Sequence, residues 1–209
     1  SKWTFTLNLP FFLLAAIFPQ ALLGIFGPEF TDGATALVIL AFASLTNAAT
    51  GSSGAILDMT GHTRVKLLNS TASVGLAIVL NLLLIPPLGV TGAAIAAFGS
   101  IATVNLLRVA QVAWLVRVLP YDREWLKPAA AGVAAGAAAW LVGLLTADAS
   151  LFVRALTGGA ALAVTYAAVL VALGLSDDDR TILSRAGRRF TRRRGGKAVA
   201  AAGAQGDVP

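Results

Sequence analysis

Residues 61–97, GHTRVKLLNSTASVGLAIVLNLLLIPPLGVTGAAIAA, constrain the fold more than any other stretch of the chain. A short basic turn leads into an apolar run of helical length. A Pro-Pro and Gly-rich corner follows, opening into a second apolar run of small residues. Pro86 and Pro87 lack backbone donors and crowd the preceding turn, so a helix is expected to end there. Gly89 and Gly92 allow a tight reversal, and Gly92-Ala93-Ala94 offers a surface that a neighbouring helix can approach closely. With charge at only one end of the pair, the pattern predicts a membrane hairpin.

Composition extends that reading to the whole chain. Hydrophobic residues make up 57% of the 209 and charged residues 12%, with a mean hydropathy of +0.79. Soluble domains carry about 25% charged residues, so half the usual solubilising surface is missing. Apolar segments of about 20 residues, the length that crosses a hydrocarbon core, recur throughout. The chain is expected to be an all-α, polytopic transmembrane bundle of about six spanning helices, approximately 5–26, 34–59, 66–86, 91–116, 128–146 and 151–175. Pro10 and Pro19 predict a kinked or interrupted first segment.

The net charge of +6 and pI near 10.5 do not mark a nucleic-acid-binding face, because the basic residues are distributed as topology signals. Half of the sixteen Lys and Arg lie after Asp179. Lys2 precedes the first segment; His62, Arg64 and Lys66 fill the second turn, and Arg117, Arg123 and Lys127 the fourth. The turns at Pro28–Asp32, at the proline corner and at Ala147–Ser150 carry no basic residue. This alternation predicts a multi-pass protein of the cytoplasmic membrane with both ends cytoplasmic. Arg154 is the exception, expected either to pair with Asp148 or to snorkel to headgroups. The bundle is expected to occupy 1–176. Asp177, Asp178 and Asp179 then open a basic interfacial helix over 177–194 that would lie on anionic lipid, and the patternless 195–209 is expected to be disordered. Beginning at Ser1 without a signal-like leader, the chain reads as the later part of a longer protein.

A catalytic constellation is not visible. There is one His, no Cys, and no cluster of acidic residues at helical spacing within the apolar segments, so metal binding and acid–base hydrolysis lack their parts. The Gly-rich runs have no Lys-Ser/Thr of a phosphate loop. The expectation is a non-enzymatic protein without a cofactor.

Gly61-His62-Thr63-Arg64 after a helix, Asn81 with Leu82-Leu83-Leu84-Ile85-Pro86, and Gly89-Val90-Thr91-Gly92-Ala93-Ala94-Ile95-Ala96 carry a resemblance. Over about residues 35–117 the chain resembles the C-terminal part of polysaccharide and oligosaccharide flippases of the multidrug/oligosaccharidyl-lipid/polysaccharide transporter superfamily. The resemblance implies two helical lobes that rock around a central cavity. This chain would supply the last four helices of the second lobe plus two more, with the missing N-terminal half of the same protein as its partner. It implies flipping of lipid-linked oligosaccharide or polysaccharide precursors by alternating access; with no phosphate loop in the chain, the energy is expected to come from an ion gradient or membrane potential. The alternatives are a drug/cation antiporter of the same superfamily, a membrane-embedded glycosyltransferase or ligase using a lipid-linked sugar, and a non-catalytic membrane scaffold.

Three residues are candidates for the substrate path. Arg108 lies in an apolar segment where a charge is costly unless it faces a cavity or a partner. It either contacts the diphosphate of a lipid-linked sugar or snorkels to inner headgroups. Asp58 either takes part in ion or proton coupling or pairs with Arg64 or Lys66 across the turn. Asn47, like Asn69, Asn81, Asn105 and Gln111, either bonds between helices or, more sharply, meets sugar hydroxyls. His62 is a potential proton switch but belongs to a turn. Gly61, Arg64, Asn81, Pro86, Gly89 and Gly92 are expected to be structural.

Overall fold

The computed structural model describes residues 2–115 and 125–173, with the side chains of Gly51 and Ser52 excepted. Arg117, Arg123, the interfacial helix at 177–194 and the tail at 195–209 lie outside the described residues. The chain divides into two compact units, 1–169 and 170–209. Of the second, the described residues are the last turn of one helix and the residue after it.

Among the described residues the structure is all-helical. The helices are α1 (Lys2–Ile17), α2 (Pro19–Gly24), α3 (Ala34–Met59), α4 (Thr63–Leu115), α5 (Leu126–Leu145) and α6 (Leu151–Ala172), with a 3₁₀ turn over Pro28–Gly33 between α2 and α3. Four helical stretches are long and apolar enough to cross a membrane: Pro28–Met59, which joins the 3₁₀ turn to α3, then α4, α5 and α6. The first apolar segment is interrupted at Phe18, whose backbone leaves the helical region (φ −124°, ψ 46°) ahead of Pro19. A residue before proline is disfavoured in the helical conformation, which places the break there. Pro10, by contrast, sits inside α1 without ending it.

The 53 residues of α4 would measure about 80 Å if straight, far beyond the about 30 Å of a hydrocarbon core. They fold back instead. Gly89 alone takes a non-helical conformation (φ 55°, ψ −130°) and divides α4 into limbs 63–88 and 90–115. The limbs run antiparallel. A Cβ on Gly92 would strike the Leu84 carbonyl, one on Gly99 would meet Leu80, and Asn69 bonds to Gln111. The expected corner is therefore present, but Pro86 and Pro87 remain in helical torsion and Gly89 makes the reversal. Proline's fixed φ is close to the helical value, whereas a positive φ of this kind, with an extended ψ, is accessible without strain only to glycine.

The turn from α3 into α4 is also closed by a glycine. Gly61 takes φ +79° while its N–H donates to Asp58 O at 3.2 Å. The His62 N–H donates to Leu57 O at 2.9 Å. These two bonds satisfy carbonyls that the helix end would leave open, the pattern of a Schellman cap.

α1 packs on α3, α5 and α6. Leu9, Leu13 and Phe18 at the end of α1 rest on Gly132, Gly136 and Gly143 of α5, while Leu14 and Phe18 rest on Gly159 and Gly158 of α6. The α5 contacts rise in step with α1 and the α6 contacts fall, so α1 runs parallel to α5 and antiparallel to α6. The Tyr166 hydroxyl donates to Thr6 O at 2.8 Å, fixing the far end of the α1–α6 pair. In lipid, helices gain little from expelling water, and such small-residue contacts supply the attraction through close packing.

Candidate functional site

Of the three buried side-chain atoms without a hydrogen-bond partner among the described residues, two, Ser53 Oγ and Arg108 Nε, belong to the paired helices α3 and α4. Asn105, 1% exposed, donates from Nδ2 to Asn47 Oδ1 at 3.4 Å, joining α4 to α3. One helical turn on, the half-buried Arg108 donates from Nη2 to Ser70 Oγ at 3.4 Å across the hairpin. Its Nε is buried and has no hydrogen-bond partner. Next in line, Asn69 and Gln111 exchange two bonds: Asn69 Nδ2 donates to Gln111 Oε1 at 2.5 Å, and Gln111 Nε2 to Asn69 Oδ1 at 3.0 Å. The series ends at the α3–α4 turn, where Lys66 Nζ and Asp58 form an ion pair. A ladder of amides and one guanidinium thus descends from the middle of α3 to the basic turn.

The rungs differ in how well they are satisfied. The Asn69–Gln111 pair is closed and reciprocal. Arg108 carries five N–H donors and makes one long contact to a neutral hydroxyl. Ser53 on α3 is fully buried, and its Oγ has no partner. In water-poor surroundings an unmet donor is costly, by about 1–3 kcal/mol for a neutral group and more for a charged one. Arg108 is therefore the most under-satisfied charge on the ladder.

The structure separates the alternatives left by the sequence for several residues. Asp58 pairs with Lys66, and the exposed Arg64 is not its partner. His62 Nδ1 lies 3.1 Å from Thr60 Oγ1 within the turn. Asn47, Asn69, Asn105 and Gln111 bond between helical segments, but Asn81 does not: its Nδ2 donates to Ala77 O at 2.7 Å in its own helix. Arg154 and Asp148 form no ion pair, and Arg154 Nε is buried without a partner at the start of α6. Pro86 is exposed at the hairpin apex, with Gly89 and Gly92 beside it.

A second polar place escapes the sequence reading. Between α1 and α3 lies a half-open pocket of about 100 Å³ lined by Asn8, Phe11, Phe12, Ala41, Ser44 and Leu45. Ser44 Oγ donates to Asn8 Oδ1 at 3.5 Å, and Asn8 Nδ2 donates to Thr4 O at 2.9 Å. Ser44 and Asn47 are exposed one turn apart on α3, so this cavity adjoins the upper rung of the ladder. Ser44 and Asn8 stand 36 positions apart, and no local spacing announces their meeting.

No known protein family, curated protein or solved structure matches the chain. Among the described residues, no group of three His, Asp or Glu side chains is placed to hold a metal ion. The arrangement can bind neutral polar groups along the ladder and an anion at Arg108.

Proposed function

We propose that the chain is part of a membrane transporter of the flippase kind, moving lipid-linked oligosaccharide or polysaccharide precursors across the cytoplasmic membrane by alternating access. The observation that carries this reading is Arg108, a guanidinium within an apolar helix whose Nε is buried and unpartnered. A charge at such depth persists where it meets a cavity or a substrate. An anionic diphosphate is the ligand whose acceptors would complete the fork. The neighbouring Asn47–Asn105 rung, joined by one bond of 3.4 Å, keeps amide capacity that suits sugar hydroxyls, and the resemblance over residues 35–117 points the same way. In this reading α4 crosses the bilayer twice, the segment made of α1 and α2 once, and α3, α5 and α6 once each. The GHTR turn then faces the cytoplasm. A cation antiporter is less well supported, since Asp58, the acidic group on the ladder, is already neutralised by Lys66.

Arg108→Leu separates the transport role from a structural one. If Arg108 serves transport, reconstituted full-length protein loses translocation of a lipid-linked sugar by at least about tenfold. Its thermal stability holds or rises, because a costly unmet charge is removed. Unchanged translocation, or a loss of stability that parallels the loss of transport, would overturn the reading.

A further inference from the structure

The cavity between α1 and α3 has chemistry that the ladder does not. Its walls combine an amide and a hydroxyl with two phenylalanines, and no charged side chain lines it. Phe12 is held edge-on to Phe42, with ring centroids 4.6 Å apart, while Phe11 is 73% exposed. The polar pair is incompletely satisfied. Thr46, Thr50, Thr146 and Thr157 each donate to the carbonyl four residues back in their own helix. Ser44 forgoes that bond and reaches Asn8 only at 3.5 Å, the limit of a hydrogen bond. Asn8 retains a second N–H and acceptor capacity that its helix does not use.

The depth of this pair along the bundle follows from packing. Leu9, the neighbour of Asn8, rests on Gly132 of α5, and Thr6 meets Tyr166 of α6. Val133 on α5 and Val164 on α6 therefore lie at about the level of Asn8, and both are largely exposed on apolar faces. An under-satisfied amide and hydroxyl at that level are tolerated where they line a space that water enters. About 100 Å³ holds several water molecules.

We propose that the α1–α3 cavity is a water-filled pocket that binds a neutral, hydroxyl-rich group. Asn8 and Ser44 exchange hydrogen bonds with its hydroxyls, and the phenylalanines cover its C–H face. The absence of charge in the lining sets it apart from Arg108 and disfavours cations and anions alike. It does not depend on what the protein carries, and failure here leaves the Arg108 experiment untouched.

The chain contains no cysteine, so single-cysteine variants report without background. Ala41→Cys, at a lining position that makes no hydrogen bond to the ligand, and Val133→Cys and Val164→Cys in the full-length protein, reconstituted in lipid nanodiscs, are exposed to a charged, membrane-impermeant thiosulfonate. Thiols react as thiolates, which form only where water reaches, so the Ala41→Cys variant should be modified at least about tenfold faster than either control. Octyl glucoside below its micellar concentration should slow modification of that variant by at least about threefold, as site occupancy requires. Octyl trimethylammonium should not, and adding Asn8→Leu to Ala41→Cys should abolish the protection. An Ala41→Cys variant as unreactive as the controls overturns the water-filled pocket. A reactive variant protected by neither amphiphile, or equally by both, overturns the hydroxyl-rich ligand.

Discussion

The two principal seams of the bundle are built on opposite terms. Where α1 meets α5 and α6, glycines receive leucine and phenylalanine side chains, and the polar contact between them, Tyr166 to Thr6 O, is made at 2.8 Å. Where α3 meets the limbs of α4, amides, hydroxyls and a guanidinium face one another, and several remain incompletely bonded. The first seam has one good arrangement, since close packing in lipid tolerates little displacement. The second has spare donors and acceptors, so shifted arrangements, or a bound polar group, cost it little. The transporter proposed above would need both kinds: a rigid frame to carry motion and a seam that can exchange partners. The contrast is open to direct attack from either side.

The largest effect is expected in the dry seam. A methyl on Gly158 would fall within the ring of Phe18, which also presses on Gly143. Phe18 is itself buried, and the backbone break before Pro19 holds it. Gly158→Ala should therefore destabilise the protein by about 3 kcal/mol, the upper range of overpacking in a tight core, measured by thermal or denaturant unfolding in detergent. Phe18→Leu in the same chain should restore part of the loss. If Gly158→Ala is neutral, α6 does not dock on α1 as described and the contrast fails on its dry side.

The polar seam predicts an intermediate effect with a different signature. Asn69→Leu removes one partner of the reciprocal pair and strands the Gln111 amide, at a cost of about 1–2 kcal/mol. Asn69→Leu with Gln111→Leu removes both and should return most of that stability, because the penalty lies in the orphaned group. A double-mutant cycle of unfolding free energies reads this directly. Simple additivity of the two changes would mean that the amides do not meet, and the hairpin register would be wrong.

Much of this arrangement can be read from the residues alone, and the remainder cannot for identifiable reasons. The long apolar runs announce α3, α5 and α6, since hydropathy depends on composition and survives uncertainty in packing. The interruption at Phe18 follows from Pro19, a local steric rule. The hairpin in α4 is foreseeable, but its pivot is not: two prolines draw attention, whereas the backbone needs a conformation that only Gly89 supplies. Arg108 stands out as a lone charge in an apolar run, yet its contact, Ser70, lies 38 residues away. Asn81 illustrates the converse. It looks like its sister amides, but its bond stays within its own helix, because an amide can satisfy itself locally when no neighbouring helix offers a partner. Local pattern reveals which residues are costly in lipid; only the packing reveals which of them remain unsatisfied.

The smallest effect sharpens the comparison most. Gly136 lies on the same face of α5 as Gly132, but a methyl there would stand 3.4 Å from Leu13 Cδ2, an ordinary contact with the far end of a flexible side chain. Alanine also gains over glycine in a helix interior, by up to about 1 kcal/mol. Gly136→Ala should therefore be neutral or stabilising by about 0.5 kcal/mol, opposite in sign to Gly158→Ala, although both replace a seam glycine by the same residue. Matched unfolding curves for the two variants decide the matter. If both destabilise alike, glycine is required along the whole seam for its backbone. If their signs differ, the dry seam is selective at the places where a neighbour's atoms already occupy the space, and its rigidity is a property of particular contacts.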